Sequence, residues 1–452
     1  MTPASFTLPA RKAPPTQAGT PDEPPANMSV PAHSAALSPP RRERRSNAAR
    51  PETVAVVGTG VVGLAAALGC AQRGLRVRLI GPTPRLFEAA GDGPAPPGGG
   101  RPARFDPRIY AISEGSRRLL TDCKVWAQID PARICAVSRM QVAGDAGGRL
   151  RFDAYASCAE RLATIGEESA LLRALWLGCA MTPGIEHIPL QFHAATFDGG
   201  ATRVHLVAGA DGAATQMECD LLIGADGKNS SVRAAAGISA HAKPYGHIAF
   251  VANFACEHPH DGVAYQWFTP DEGIVALLPL PGNHVSLVWS APDALAPQLE
   301  SLPLPEFQRR VTERSGGVLG ALEILGDRHA FPLRRLVVDR LVRPGLALMG
   351  DAAHVVHPLA GQGLNLGLQD VADLLLRLDA RESWRGIGDL VLLRRYERAR
   401  AEPIALMRGT VGALAALFAA PDAATRGLRN AGMSLLDALP PIKNALVRHA
   451  MG

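Results

Sequence analysis

The chain has 452 residues, 47% of them hydrophobic and 20% charged, which is ordinary for a globular protein and long enough for two interlocked domains. Its formal charge of +5 is uneven: residues 1–50 carry seven Lys/Arg against three Asp/Glu, leaving 40 against 39 elsewhere, so the body is nearly neutral and nucleic acid is excluded as a partner. Seven scattered cysteines without C-x-x-C spacing argue against a disulfide framework or zinc site, and no 18-residue apolar run exists to cross a membrane.

Residues 1–50 hold ten of the 37 prolines and the basic run Arg41–Arg45, a composition that cannot bury a core and predicts a disordered tail. The tail lacks the apolar stretch of a secretory signal, and Met28 offers an alternative start. Thr53 to Val57 then reads as a strand leading into Gly58-Thr-Gly-Val-Val-Gly63 and an Ala/Leu-rich helix that Gly74 ends. A second strand follows at Leu75–Ile80. G-x-G-x-x-G in that setting signals a dinucleotide-binding βαβ unit: Gly58 for the tight turn, Gly60 for close approach of a pyrophosphate, Gly63 for the helix–strand contact. Gly81 stands where that pattern places an acidic ribose ligand. The expectation is therefore a loosely held dinucleotide that Gly81→Glu would tighten, unless the position needs a positive φ.

After a Gly/Pro-rich linker, 91–102, comes Asp106–Ser113 (DPRIYAIS) and a helix to about Leu120. Arg108 there suits either a phosphate contact or a surface ion pair. Ile134 to Tyr155 alternates as strands, Glu167 to Met181 reads as a helix, and Ile185 to Val207 is strand-like. In Leu221–Arg233 (LLIGADGKNSSVR) a buried strand delivers Asp226 and Gly227 to a turn before a short helix. Residues 240–335 switch to β-type runs separated by Pro, Gly, Asp and Asn, which predicts an antiparallel sheet roofing a substrate pocket. Tyr265, Trp267 and Phe268 either line that pocket or belong to the core.

The stretch around which the rest is organised is Met349–Asn365 (MGDAAHVVHPLAGQGLN). An apolar strand ends at Gly350 and Asp351, Pro358, Gly361 and Gly363 shape a loop, and helical spacing resumes from Leu364. Strand end, glycine loop and helix N-terminus make a cradle for negative charge. Asp351, His354 and His357 offer metal-ligand types, but the glycine loop fits a flavin better and no metal is assigned. No G-x-S-x-G elbow supports a hydrolase. Residues 389–452 read as helices interrupted by Pro403, Pro421 and Pro440-Pro441, either packed on the body or forming an interfacial surface.

GDAAHVVHPLAGQGLNLGLQDVADL resembles the third flavin-binding motif of the FAD-dependent aromatic hydroxylases of ubiquinone biosynthesis, which have the p-hydroxybenzoate-hydroxylase fold. DPRIYAIS is similar to that family's D-x-R-x-x-A-L-S element, GADGKNSSVR to its G-A-D-G-x-x-S-x-V-R motif, and the likeness runs from about Val54 to the C-terminus. It implies a mixed α/β fold: a Rossmann-like FAD-binding domain interleaved with an antiparallel substrate domain, plus C-terminal helices. The expected division is a tail at 1–50, FAD-binding segments at 51–132, 159–239 and 341–385, substrate segments at 133–158 and 240–340, and a helical region at 386–452.

The resemblance further implies a monooxygenase that uses NADPH or NADH and O2, through a C4a-hydroperoxyflavin, to hydroxylate a polyprenylated phenol in ubiquinone biosynthesis. Cofactor contacts fall to Gly58, Gly60, Gly63, Arg108, Asp226, Gly227, Gly350, Asp351, Gly361, Gly363, Leu364 and Asn365. Pro358, Gly361, Gln362 and Gly363 would do the catalytic work, Pro358 walling the oxygen side and the N–H groups of residues 361–364 stabilising flavin negative charge. A cytoplasmic protein, with peripheral contact on the inner face of a membrane or in a ubiquinone-biosynthesis complex, is the expected setting. A non-oxygenating FAD-dependent prenyl-lipid reductase and a non-catalytic FAD-binding scaffold are the alternative readings.

Overall fold

A computed structural model describes residues 51–84, 105–197, 202–207, 214–269, 271–356, 362–419, 423–439 and 443. In chain order, β1 (Thr53–Val57), α1 (Val61–Ala71) and β2 (Arg76–Ile80) open the fold as a βαβ unit. β3 (Ile109–Ile112) and α2 (Glu114–Asp122) follow, then β4 (Ile134–Val137), β5 (Arg139–Ala143), β6 (Arg149–Asp153), β7 (Ala163–Glu167) and α3 (Glu168–Met181). Next come β8 (Ile185–Ile188), β9 (Gln191–Phe197), β10 (Thr202–Val207), β11 (Ala214–Cys219), β12 (Leu221–Gly224) and α4 (Ser231–Ala235). A run of long strands, β13 (Ala240–Cys256), β14 (Val263–Thr269), β15 (Gly273–Leu280) and β16 (His284–Pro292), precedes α5 (Ala296–Ser301), α6 (Leu304–Arg314) and β17 (Leu322–Val338). The chain closes with β18 (Val342–Arg343), β19 (Leu346–Leu348), β20 (His354–Val355), α7 (Gln362–Asp379), α8 (Leu390–Ala419) and α9 (Ala423–Asp437).

Two large sheets result. The first has the order β18-β19-β12-β1-β2-β8 and is parallel apart from the β18–β19 hairpin. Its centre is continuously apolar because both faces are covered: every residue of β1 and β12 is buried. α1 packs against both α3 and α7, and Gly69 lets Leu375 of α7 sit where a side chain would otherwise stand. The second sheet, β20-β17-β13-β16-β15-β14-β5-β6, is antiparallel except for the β14–β5 pair. It alternates as a half-covered sheet should. Phe250, Ala252 and Phe254 point to a core closed by Phe307 and Val311 of α6.

The strands of the two sheets are interleaved along the chain, and β20 ties them together by pairing His354 with Val337 directly after the first sheet's last strand. The mixed α/β fold expected from the sequence is therefore the fold observed. Two details differ. α7 starts at Gln362, before the first apolar position of its stripe. α8 runs through Pro403 to Ala419 instead of breaking there. Proline removes one helical hydrogen bond, but Tyr396, Arg400 and Ile404 on either side are buried and hold the helix across it. Among the described residues no helix is long and apolar enough to cross a membrane.

Candidate cofactor and active site

The carboxyl ends of β1, β12 and β19 meet at one edge of the parallel sheet, where such folds open a crevice. Gly58 turns the chain there with φ +119, and any side chain on it would overlap the Ala225 carbonyl. Its N–H donates to Ile80 O at 2.9 Å. Gly63 packs just as tightly against the Gly58 carbonyl, so α1 begins directly on the turn. Gly60 differs: a Cβ there would meet nothing within 4 Å. It caps α1 without a side-chain bond, and no acidic residue occupies the first turn. The first N–H groups of α1 therefore face open space with the helix dipole behind them, which is what a pyrophosphate requires.

Asp226 sits beside this turn. Its Oδ2 accepts from Ser231 N at 2.7 Å and Val232 N at 3.1 Å, capping α4, while its Oδ1 is buried with no partner among the described residues. Gly227 has open space next to it.

Across the crevice, Asp106 fixes the segment before β3 by accepting from Arg108 N at 2.8 Å and Ser169 N at 3.0 Å. Arg108 then reaches Glu168 at 3.1 Å, with its guanidinium 5.7 Å from the Phe331 ring, and Tyr110 donates to the same carboxylate at 3.1 Å. The Glu168 charge raises Arg108 further above its usual range. Of the two readings for Arg108, the structure contains the ion pair, and the side chain remains more than half exposed.

Asp351 is exposed at the end of β19 and takes no hydrogen bond among the described residues. Desolvation by the recess around it raises its carboxyl pKa, against the opposing pull of His354, Lys228 and Arg108. Its carboxylate is a free acceptor with Lys228 and Arg108 nearby.

Beneath it lies a buried network. Asp370 of α7, fully enclosed, accepts from Gly350 N at 2.9 Å and pairs with His354 Nε2 at 2.7 Å and Arg400 Nε at 2.7 Å. Burial alone would raise the Asp370 pKa, but His354, Arg400 and the Gly350 N–H together carry it below the usual range. Asn365 braces the start of α7, accepting from Ser113 N at 2.9 Å and donating to Ala111 O at 2.7 Å. Its side chain is thus spent on the backbone between β3 and α2. Gly363 has open space around it, and Leu364 is half-buried in the first turn of α7. Pro358 and Gly361, like His357, lie outside the described residues, as does the Gln362 side chain.

The sheet edge therefore gathers Gly58, Gly60, Gly63, Asp226 and Gly227, with Gly350 packed against Val62 beside them and Asp351 following it. Tyr265 and Trp267 stack at 5.8 Å and pack, half-buried, against the core that α6 covers. Phe268, on the opposite face, joins Val142, Leu150 and Met433 in a small cluster. Asp370, Arg400, Glu168 and Tyr110 were not singled out from the sequence. A signal existed for two of them: Asp370 follows Leu366 by four within the apolar stripe of α7, and Arg400 follows Tyr396 by four in α8. Among the described residues no cluster of His, Cys, Asp or Glu is placed to hold a metal ion.

Open helix N-terminus, orphaned Asp226 Oδ1 and unengaged Asp351 together fit an extended dinucleotide with hydroxyl groups at its middle. Comparison with known proteins agrees. Residues 178–407 match the family described as FAD binding domain. The chain is 32% identical over 408 residues to the 3-demethoxyubiquinol 3-hydroxylase of Escherichia coli (strain K12), covering 89% of this chain and 99% of that protein. It is 34% identical over 410 residues to the ubiquinone hydroxylase UbiL of Rhodospirillum rubrum, covering 88% and 89%. Among solved structures, the fold of PqsL, a probable FAD-dependent monooxygenase from Pseudomonas aeruginosa, superposes with a TM-score of 0.69 at 23% identity, covering 85% of this chain and 99% of that one.

Proposed function

The chain belongs to the FAD-dependent aromatic hydroxylases of ubiquinone biosynthesis, and we propose that it hydroxylates the ring of a polyprenylated phenol. It is an FAD-dependent monooxygenase, with O2 as the second substrate and NADH or NADPH as reductant. Bound FAD supplies the oxygen-activating chemistry. The protein's part is to hold that cofactor, orient the ring and keep water out.

In this reading the N-terminus of α1 takes the pyrophosphate, with Gly60 leaving room for it. Arg108 adds positive charge from across the crevice. Asp351 accepts hydroxyl groups of the ribityl chain, and the N–H groups of Gly363 and Leu364 at the start of α7 stabilise negative charge on the flavin edge. From the sequence, Pro358 is assigned to the oxygen side, and the N–H groups of Gly361 and Gln362 join those of Gly363 and Leu364 at the flavin's negative charge. The antiparallel sheet roofs the ring through the face of Ala264 and Leu278, which packs toward β3 and β7. The observation that carries the reading is the free Asp351 carboxylate at the strand end, next to Gly350, which packs against Val62 in the first turn of α1. A lipid-tailed substrate has to be drawn from a bilayer or handed over by a carrier. We therefore assign peripheral contact with a membrane or with other quinone-pathway proteins to the C-terminal helices, in a cytoplasmic setting.

Deleting the gene in its host tests the proposal. The expected result is accumulation of a prenylated ring precursor lacking one hydroxyl. A host whose quinone pool and precursors are unchanged would overturn it.

A further inference from the structure

Helix α8 lies outside the crevice, yet its buried face reaches into the support of the loop that carries Asp351. Tyr396, fully enclosed, donates its hydroxyl to Leu348 O at 2.9 Å, one residue before that loop begins. One turn further on, Arg400 uses every nitrogen of its guanidinium. Nε donates to Asp370 Oδ1 at 2.7 Å, Nη1 to Asp373 Oδ2 at 3.0 Å and Nη2 to Leu366 O at 3.2 Å. On its other side Asp370 Oδ2 holds Gly350 N and His354 Nε2. Gly350 and His354 bracket Asp351, so one carboxylate fixes both ends of the segment that presents it.

We propose that Arg400 is a positioning residue for the Gly350–His354 segment, acting through the buried carboxylate of Asp370 to aim Asp351 into the crevice. The inference rests on the reading of that segment as flavin-binding. Arg400 and Asp370 are 2% and 0% exposed, respectively, so their pairing is not diluted by water. Without Arg400, Asp370 loses its arginine counter-charge and the fork that fixes its orientation, keeping only the bonds to His354 and the Gly350 N–H. The grip on the Gly350 N–H then loosens. Lysine would restore the charge but not the three-way fork. Arg400 bonds residues of α7 and none of β1, β2 or α1, so the 53–80 unit should keep its protection.

The test compares wild type with Arg400→Met, Arg400→Lys and Arg395→Met. Arg395 is on the same helix but pairs with Glu382 and serves as a control. FAD is titrated into each apoprotein by fluorescence quenching, and amide exchange is followed at residues 349–356 and 53–80. Arg400→Met should weaken FAD binding on the order of tenfold and speed exchange at 349–356 while 53–80 keep their protection. Arg400→Lys should fall between, and Arg395→Met should match wild type.

FAD affinity and 349–356 protection equal to wild type in a folded Arg400→Met would overturn the proposal. If Arg400→Met does not fold, Arg400→Lys decides: selective loss at 349–356 supports the clamp, and wild-type behaviour overturns it. Wild-type protein that binds no FAD would instead overturn the functional reading, leaving the clamp to be judged by exchange alone.

Discussion

Gly81 ends β2 at the position where a dinucleotide fold commonly carries an acidic ribose ligand. Its φ is +144, and a Cβ there would stand 3.2 Å from Thr59 Cγ2, while the Thr59 hydroxyl donates to Pro82 O at 2.7 Å. Placing a side chain there strains the backbone by about 1–3 kcal/mol. The condition attached to the sequence expectation is therefore met. Gly81→Glu should lower the melting temperature without tightening FAD, and FAD titration with thermal melts of both proteins checks this; tighter binding at an unchanged melting temperature would contradict it.

Asp351 makes a second prediction. Hydroxyl groups donate to the carboxylate, not to the acid, and desolvation raises this carboxyl above its usual range. Protonation therefore competes with the cofactor as pH falls. FAD affinity should rise with pH through that raised pKa and level off above it. Asp351→Asn should remove the pH dependence and weaken binding about tenfold to a hundredfold at neutral pH, the loss of a charged acceptor. A variant that keeps the wild-type pH profile would place the titrating group elsewhere.

The C-terminal region joins two different kinds of element. The first half of α8 is core: Leu392, Leu393, Tyr396 and Arg400 are all buried. α9 instead docks on the β5–β6 hairpin at the edge of the antiparallel sheet. Asn430 Oδ1 accepts from Ala146 N and Gly148 N, filling space that Gly144 and Gly148 leave open, and Arg429 pairs with Asp145. Truncation before Asp389 should therefore abolish folding. Truncation before Ala423 should leave an FAD-binding protein; on the proposed interfacial role of the C-terminal helices, it should no longer float with liposomes or co-purify with quinone-pathway proteins. Sedimentation, flavin absorbance and flotation report on each. A protein ending at Asp389 that folds and binds FAD would refute the division.

The sequence breaks this region at Pro403 and leaves packing and an interfacial surface as open alternatives, because helical spacing does not show what a helix face meets. Gly58–Gly63, Asp106–Ser113 and Gly350–His354 are contiguous runs, so the sequence shows which residues stand together in each of them. The partnerships were hidden. Asp370 meets Arg400 across 30 residues and Glu168 meets Arg108 across 60, distances at which no spacing rule applies.

Both sheets depend on segments that return from far along the chain, and the crevice exists only where β1, β12 and β19 align. That assembly brings the α1 N-terminus next to both the Ala225–Asp226 turn and Gly350. The placement of Tyr265 and Trp267 shows what periodicity alone leaves open. Alternation put them on one face of β14, but only the position of α6 decides that this face is core. Hydroxylation itself is tested by isotope. Purified protein loaded with FAD, supplied with NADH or NADPH, a polyprenylated phenol and 18O2, should return a ring carrying one 18O atom. Label that arrives only from H2 18O, or NAD(P)H consumed with no labelled product, would contradict the account.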